Sequence, residues 1–291
     1  MSDLFCFGLG FSALALARRL KAQGWTIAGT VRGEGAIAAA AAQGIEALAF
    51  DGAAPSAAVA RRLAQATHLL ISVPPGAGGD PVLACHRADI IAAPDLEWIG
   101  YLSTIGVYGD HDGAWIDEET PPRPQNERSQ WRLEAETAWR DLARERGAPL
   151  AIFRLAGIYG PGRNQLRSLT QGKARTILKP GQVFNRIHVE DIAATVLASI
   201  ARPPEGARAY NVCDDEPAPP QEVTAFAAAL LGLAPPPLVA IDDPQLSAIA
   251  RSFYTENKRC RNARIKDELG VILRFPTYRE GLKRLFADRE A

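Results

Sequence analysis

The segment Gly8-Leu-Gly10-Phe-Ser-Ala13 stands directly between a short apolar run at 4–7 and an alanine-rich stretch of helical periodicity at 12–23. That placement constrains the fold more than any other feature of the chain. In a strand–turn–helix corner of this kind, Gly8 permits the tight turn and Gly10 lets the backbone approach a pyrophosphate. Ala13 keeps the helix close to the sheet. Phe11 and Ser12 open the helix, whose first amides face an anion. The alternation then continues, with strands at Thr26–Val31, 45–50, 68–73, 98–103 and Leu150–Leu155. Helices fall between them at 35–43, 56–65, Pro81–Ala92 and 128–146. Continuous apolar strands separated by helices predict an α/β chain, a Rossmann doubly wound parallel sheet covered on both faces.

After Leu155 the rhythm changes. Loops lengthen and proline clusters at 203–204, 217–220 and 235–237, with helices expected near 221–232 and 276–287 and a returning strand near 210–212. The expected division is a dinucleotide-binding domain over 1–160, with a return at 181–214. A small, mostly helical C-terminal substrate lobe takes 161–180 and 215–291.

Charge narrows the partners. Lys plus Arg and Asp plus Glu number 33 each, so the formal net charge is zero and no basic stripe suggests nucleic acid. The longest uncharged run, 223–241, is broken by three prolines at 235–237 and cannot form one membrane helix. The first residues carry Asp3 and no basic segment, so a cytoplasmic location is expected. Four cysteines and four histidines are scattered without ligand spacing, and no metal is expected.

The second strand ends Gly29-Thr30-Val31-Arg32, where an NAD-binding chain of this type carries an acid for the ribose 2′-hydroxyl. Arg32 suits a 2′-phosphate and Thr30 adds a hydroxyl, so NADP is favoured. NAD stays open through Glu34. Asp51 is placed either for the adenine amino group or as a turn aspartate before Gly52. Ser72, Val73 and Pro74 end the fourth strand and should pass along the cofactor.

Further motifs follow in order: Leu102-Ser-Thr104-Ile-Gly-Val-Tyr108-Gly, Arg154-Leu-Ala-Gly-Ile-Tyr159-Gly-Pro-Gly-Arg163, Arg186-Ile-His188-Val-Glu-Asp191 and Tyr210-Asn-Val. With the glycine segment, this string resembles the extended short-chain dehydrogenase/reductase superfamily, in its NAD(P)-dependent epimerase/dehydratase-like branch. The resemblance implies a Ser or Thr at Thr104 and a Tyr-x-x-x-Lys pair on the following helix. Counting back from Leu133-Glu-Ala-Glu136 puts Arg132 at the lysine and Arg128 at the tyrosine. A guanidinium does not give up its proton, so Arg128 cannot replace the phenol, whereas Arg132 is suited to a ribose or phosphate.

The candidates for catalysis are therefore Thr104, Tyr108 and Tyr159, each tyrosine having a packed structural role as its alternative. His188 reads as a hydrogen-bonded residue before a helix and Asp191 as a helix-start residue. Asp117, Glu118 and Glu119 read as a solvated acidic loop, with contact to substrate as the alternative. Arg128, Arg163 and Arg186, with Arg132, suit a small anionic substrate such as a nucleotide sugar. The rival for Arg128 and Arg132 is pairing with Glu134 and Glu136. Two readings stay open: an oxidoreductase or epimerase/dehydratase, and a non-catalytic NADP-binding redox sensor. The resemblance also implies a homodimer through the helices after strands four and five.

Overall fold

The computed structural model describes residues 2–290 apart from 245, 248–250 and 253. A seven-stranded parallel sheet runs in the order β11-β7-β5-β4-β1-β2-β3. Its strands are β1 (Asp3–Phe7), β2 (Thr26–Val31), β3 (Glu46–Ala49), β4 (His68–Ile71), β5 (Trp98–Thr104), β7 (Leu150–Leu155) and β11 (Ala207–Val212). The interior strand β1 is buried along its whole length and pairs with β2 on one side and β4 on the other. Two-sided cover explains why these strands read as unbroken apolar runs rather than alternating ones. Helices α1 (Phe11–Ala22), α2 (Glu34–Ala41), α3 (Ala57–Leu63), α4 (Pro81–Ala92), α5 (Glu127–Arg146) and α7 (Val189–Ala201) make the crossovers. Asp80 caps α4, accepting from the Val82 and Leu83 amides. Asn126 caps α5, and Gly147 in the left-handed region stops it.

The chain divides into two compact units. The first, 1–107, 124–154 and 192–210, has a core that includes Phe5, Phe7, Ile71, Tyr101, Trp139 and Ile152. The second takes 108–123, 155–191 and 211–291. It holds the two-stranded parallel pairs β10 (Arg186–His188) with β8 (Gly157–Tyr159), β12 (Leu238–Ala240) with β9 (Thr176–Leu178), and β13 (Arg259–Cys260) with β6 (Trp115–Ile116). Its helices include α6 (Gln165–Thr170), α8 (Pro220–Leu231) and the C-terminal Tyr278–Ala287. The expected boundaries need correcting, because 108–123, 155–160, 181–191 and 211–214 fall in the second unit. Strands of two or three residues carry too few positions to show a period, so the sequence does not reveal them.

Within the first unit, one buried polar network ties α5 to the sheet. Glu136 Oε1 accepts from Ser103 Oγ at 2.5 Å, and Glu136 Oε2 accepts from Arg154 Nη2 at 2.7 Å. The side chains of Arg154 and Glu136 are 5% and 1% exposed. A buried pair of this kind is weak net stabilisation, but removing one partner leaves an uncompensated charge. Glu136→Ala is therefore expected to cost about 3–5 kcal/mol in urea unfolding, whereas Glu136→Leu combined with Arg154→Met should cost clearly less. Equal losses would show that the charge is not what matters.

Candidate cofactor site

The corner after β1 is built around Thr30. The Gly8 amide donates to Thr30 Oγ1 at 2.9 Å and the Leu9 amide to the Thr30 carbonyl at 2.8 Å. Gly8 has φ +89°, a conformation that side chains rarely adopt, and a Cβ on it would sit 3.0 Å from Val73 Cγ2. Thr30 is 1% exposed, so the expectation that its hydroxyl meets the 2′-phosphate is corrected. That hydroxyl holds the turn from beneath.

Gly10 is different. Its backbone is extended, it provides no side-chain cap for α1, and the nearest group to a Cβ built on it is Ser72 Oγ at 3.9 Å. Nothing in the chain's own packing requires a glycine there. The missing side chain leaves a cradle beside uncapped helix amides and Ser72, which fits a pyrophosphate. Ser12 and Ala13 are buried beneath it and Phe11 is half-buried. Arg32, just past β2, is exposed and has no side-chain partner among the described residues. Glu34, the rival ribose ligand, is exposed at the start of α2. Asp51 Oδ1 accepts from the Ala53 amide at 2.9 Å, the turn geometry that was its alternative. Val73 lies against Gly8, and Pro74 is exposed after it.

At the end of β5, Thr104 Oγ1 accepts from the Gly106 amide at 3.1 Å. A Cβ on Gly106 would lie 2.9 Å from Ser129 Oγ and 3.4 Å from Thr104 Oγ1, so both hydroxyls face this glycine. Ser129 is thus the α5 residue beside the turn, which the sequence reading missed; the Asn126 cap that accepts its amide was the available signal. Arg128 is exposed. Arg132 Nη1 donates to Tyr101 Oη at 3.2 Å and to the Leu102 carbonyl at 2.9 Å. Tyr101 is buried and its phenol is pushed far above the usual range by desolvation, so it serves as a neutral acceptor. Burial also raises the Asp80 carboxyl, which accepts from Trp139 Nε1 at 2.9 Å. Neither expected acid pairs with these arginines, because Glu134 accepts from Gln130 and Glu136 from Arg154.

The remaining candidates lie in the second unit, and several are corrected. Tyr108 is wholly buried and its hydroxyl donates to Asn211 Oδ1 at 2.8 Å. Tyr159 packs its hydroxyl onto Gly281, where a Cβ would overlap it, and desolvation raises that phenol rather than lowering it. A proton-transferring tyrosine needs the opposite shift. Both side chains are packed parts of this unit, so their catalytic assignment fails on burial. Arg186 Nη1 donates to the carbonyls of Phe184 and Ala218, at 2.9 and 3.1 Å, and its guanidinium lies over the Tyr278 ring, so this side chain has a packing role within the second unit. Arg163 is exposed, in a tight turn closed by backbone bonds to Gly160.

His188 Nδ1 accepts from the Glu190 amide at 3.2 Å. The Asp191 carboxylate accepts from the amides of Arg274 and Phe275 at 2.7 and 3.1 Å. Glu118 is not solvated: it accepts from the Asn211 amide at 2.7 Å, and burial raises its carboxyl. The sequence reading also missed Asp214. Burial pushes its carboxyl up to about 8, against the opposing pull of Arg186, and its Oδ2 has no hydrogen-bond partner. The sequence shows only an acid after a strand; the desolvation that makes it unusual is tertiary.

Among the described residues no helix is long and apolar enough to cross a membrane. The family model for NAD dependent epimerase/dehydratase proteins matches residues 84–213. Protein YeeZ of Escherichia coli K12 is 30% identical over 251 residues, which is 81% of this chain and 86% of YeeZ. A functionally unknown conserved protein from Silicibacter pomeroyi DSS is 53% identical, with a TM-score of 0.91 over all of both chains. UDP-glucuronic acid 4-epimerase from Bacillus cereus, solved with UDP-glucuronic acid and NAD, shares the fold. It is 16% identical at a TM-score of 0.76, over 99% of this chain and 98% of that one. With the glycine corner, the parallel sheet and these likenesses in agreement, the chain belongs to the NAD-dependent epimerase/dehydratase family.

Proposed function

We propose that the protein is an NADP-preferring enzyme of oxidoreductase or epimerase/dehydratase type acting on an anionic, nucleotide-sugar-like small molecule. The observation that carries the reading is the Gly10 cradle, a glycine that packing does not require at an uncapped helix terminus. Gly8, Gly10, Phe11, Ser12 and Ala13 would hold the pyrophosphate, Ser72, Val73 and Pro74 would line its path, and Asp51 would lie at the adenine end. Arg32 supports NADP, because a partnerless exposed guanidinium after β2 suits a 2′-phosphate better than a 2′-hydroxyl. The nicotinamide, when bound, supplies hydride transfer.

The chain's own contribution centres on Thr104 and Arg132. The Thr104 hydroxyl accepts from Gly106 and keeps its own proton to donate, next to Ser129. Arg132 uses Nη1 internally, leaving the rest of its fork for a ribose or phosphate. Within this unit Arg128, exposed on α5, is the remaining cation for an anionic substrate. A second reading, a non-catalytic NADP-binding redox sensor, is favoured by one observation. The helix position for the family's tyrosine holds an exposed arginine, and both substitute tyrosines are packed away.

Three measurements test this. Gly10→Val should fold, given the open space at its Cβ, yet lose thermal stabilisation by NADPH; retained stabilisation would mean binding elsewhere. The native chain should bind NADPH more tightly than NADH, and Arg32→Ala should weaken NADPH at least about tenfold while leaving NADH unchanged. Equal binding of both by the native chain would overturn the NADP assignment. With carbonyl and nucleotide-sugar substrates, assayed by absorbance and by product analysis, Thr104→Ala should lower turnover about 10²–10⁴-fold. Tyr108→Phe should lose stability but keep its turnover within a few-fold. If no substrate turns over while a partner binds one redox form of the cofactor, the sensor reading stands instead.

A further inference from the structure

The first unit carries a second concavity, at the end of the sheet opposite the glycine corner. A hollow of about 520 Å³ opens where α5 ends and where β7 and β11 begin. The glycine corner follows the carboxyl end of β1, and all these strands are parallel, so the hollow lies at their amino ends. Its walls are largely apolar, from Ala143, Ala148, Pro149 and Pro204.

Two arginines also line it, Arg140 set into the walls and Arg144 at the rim. The Arg140 guanidinium is half-buried, and Nη1 makes one long bond, 3.3 Å, to the Ala207 carbonyl. No carboxylate lies within ion-pair distance of it among the described residues. The charges around it are already matched. Arg154 is paired with Glu136 inside the sheet, and Arg144 at the rim is paired with Asp141 at 2.9 Å. One desolvated cation is left over, and desolvation pulls down its affinity for its proton. The last carbonyls of α5 bring partial negative charge, and two of them, those of Ala143 and Arg144, are taken by the Ala148 and Gly147 amides. A cavity of this size with apolar walls and one convergent charge has the make-up of a small-molecule site.

We propose that this hollow binds a small organic monocarboxylate, with the carboxylate on Arg140 and the apolar body against the alanine and proline walls. A monoanion matches the single unpaired charge, whereas phosphate would bring excess charge and nothing for the apolar walls. The site is independent of the cofactor reading above.

The test uses the full chain and phenylacetate, with phenylacetamide as its neutral isostere. Binding is followed by calorimetry and by NMR shifts of the Ala148 and Ala207 amides. Phenylacetate should saturate these shifts and phenylacetamide should bind at least about tenfold more weakly, the worth of a charge-assisted bond. Arg140→Gln should weaken phenylacetate at least about tenfold, and Arg87→Gln, an exposed charge paired with Glu145 outside the hollow, should change it less than about twofold. Absence of saturable shifts, equal binding of acid and amide, or tighter binding of inorganic phosphate would each overturn the proposal. So would undiminished binding by Arg140→Gln. If Arg140→Gln does not fold, the acid–amide comparison on the native chain decides.

Discussion

The Ser103–Glu136–Arg154 network carries the geometry of the first unit, because a charge buried that deeply admits little displacement of its partners. Glu136 must stay within hydrogen-bond reach of both β5 and β7, or two polar groups are stranded away from water. That requirement fixes the height of α5 on the sheet. One turn earlier on the same helix, Arg132 reaches the Tyr101 hydroxyl and the Leu102 carbonyl. Ser129 then falls beside Gly106, next to Thr104. The hydroxyl and guanidinium groups at the end of β5 are thus placed by a buried ion pair between α5 and β7.

The two glycines of the first corner show two different uses of a missing side chain. Gly8 is required by the backbone, through its positive φ and its contact with Val73. Gly10 has extended backbone and open space at its Cβ, so neither its conformation nor its packing demands a glycine. Thr30 illustrates the reverse case. A hydroxyl near a phosphate site invites a binding role, but a buried donor–acceptor position beneath the turn uses it first.

Desolvation separates the working candidates from the packed ones. Tyr108, Tyr159 and Arg186 all stand in motifs that point to a site; both tyrosines are buried in the second unit and Arg186 is half-buried there, and their polar ends meet Asn211, no partner and backbone respectively. Burial raises the Tyr159 phenol and lowers the Arg186 guanidinium, in each case disfavouring the charged form. The same physics lifts Asp214 toward neutrality, and no motif marks that carboxyl.

The parallel sheet, the order of strands and helices and the glycine corner were legible from the sequence, because each rests on local periodicity or on backbone freedom at a single position. Thr26–Val31, Pro81–Ala92 and Leu150–Leu155 are recognisable for that reason, as is the exposed Arg32 past β2. The two- and three-residue strand pairs of the second unit, the pairing of Glu136 with Arg154 rather than Arg132, and the placing of Ser129 instead of Arg128 beside Thr104 belong to the tertiary structure. Each depends on which distant groups share a low-dielectric interior. Burial and partner choice are properties of the assembled chain, and a residue's type states only what it can do if the fold leaves it free.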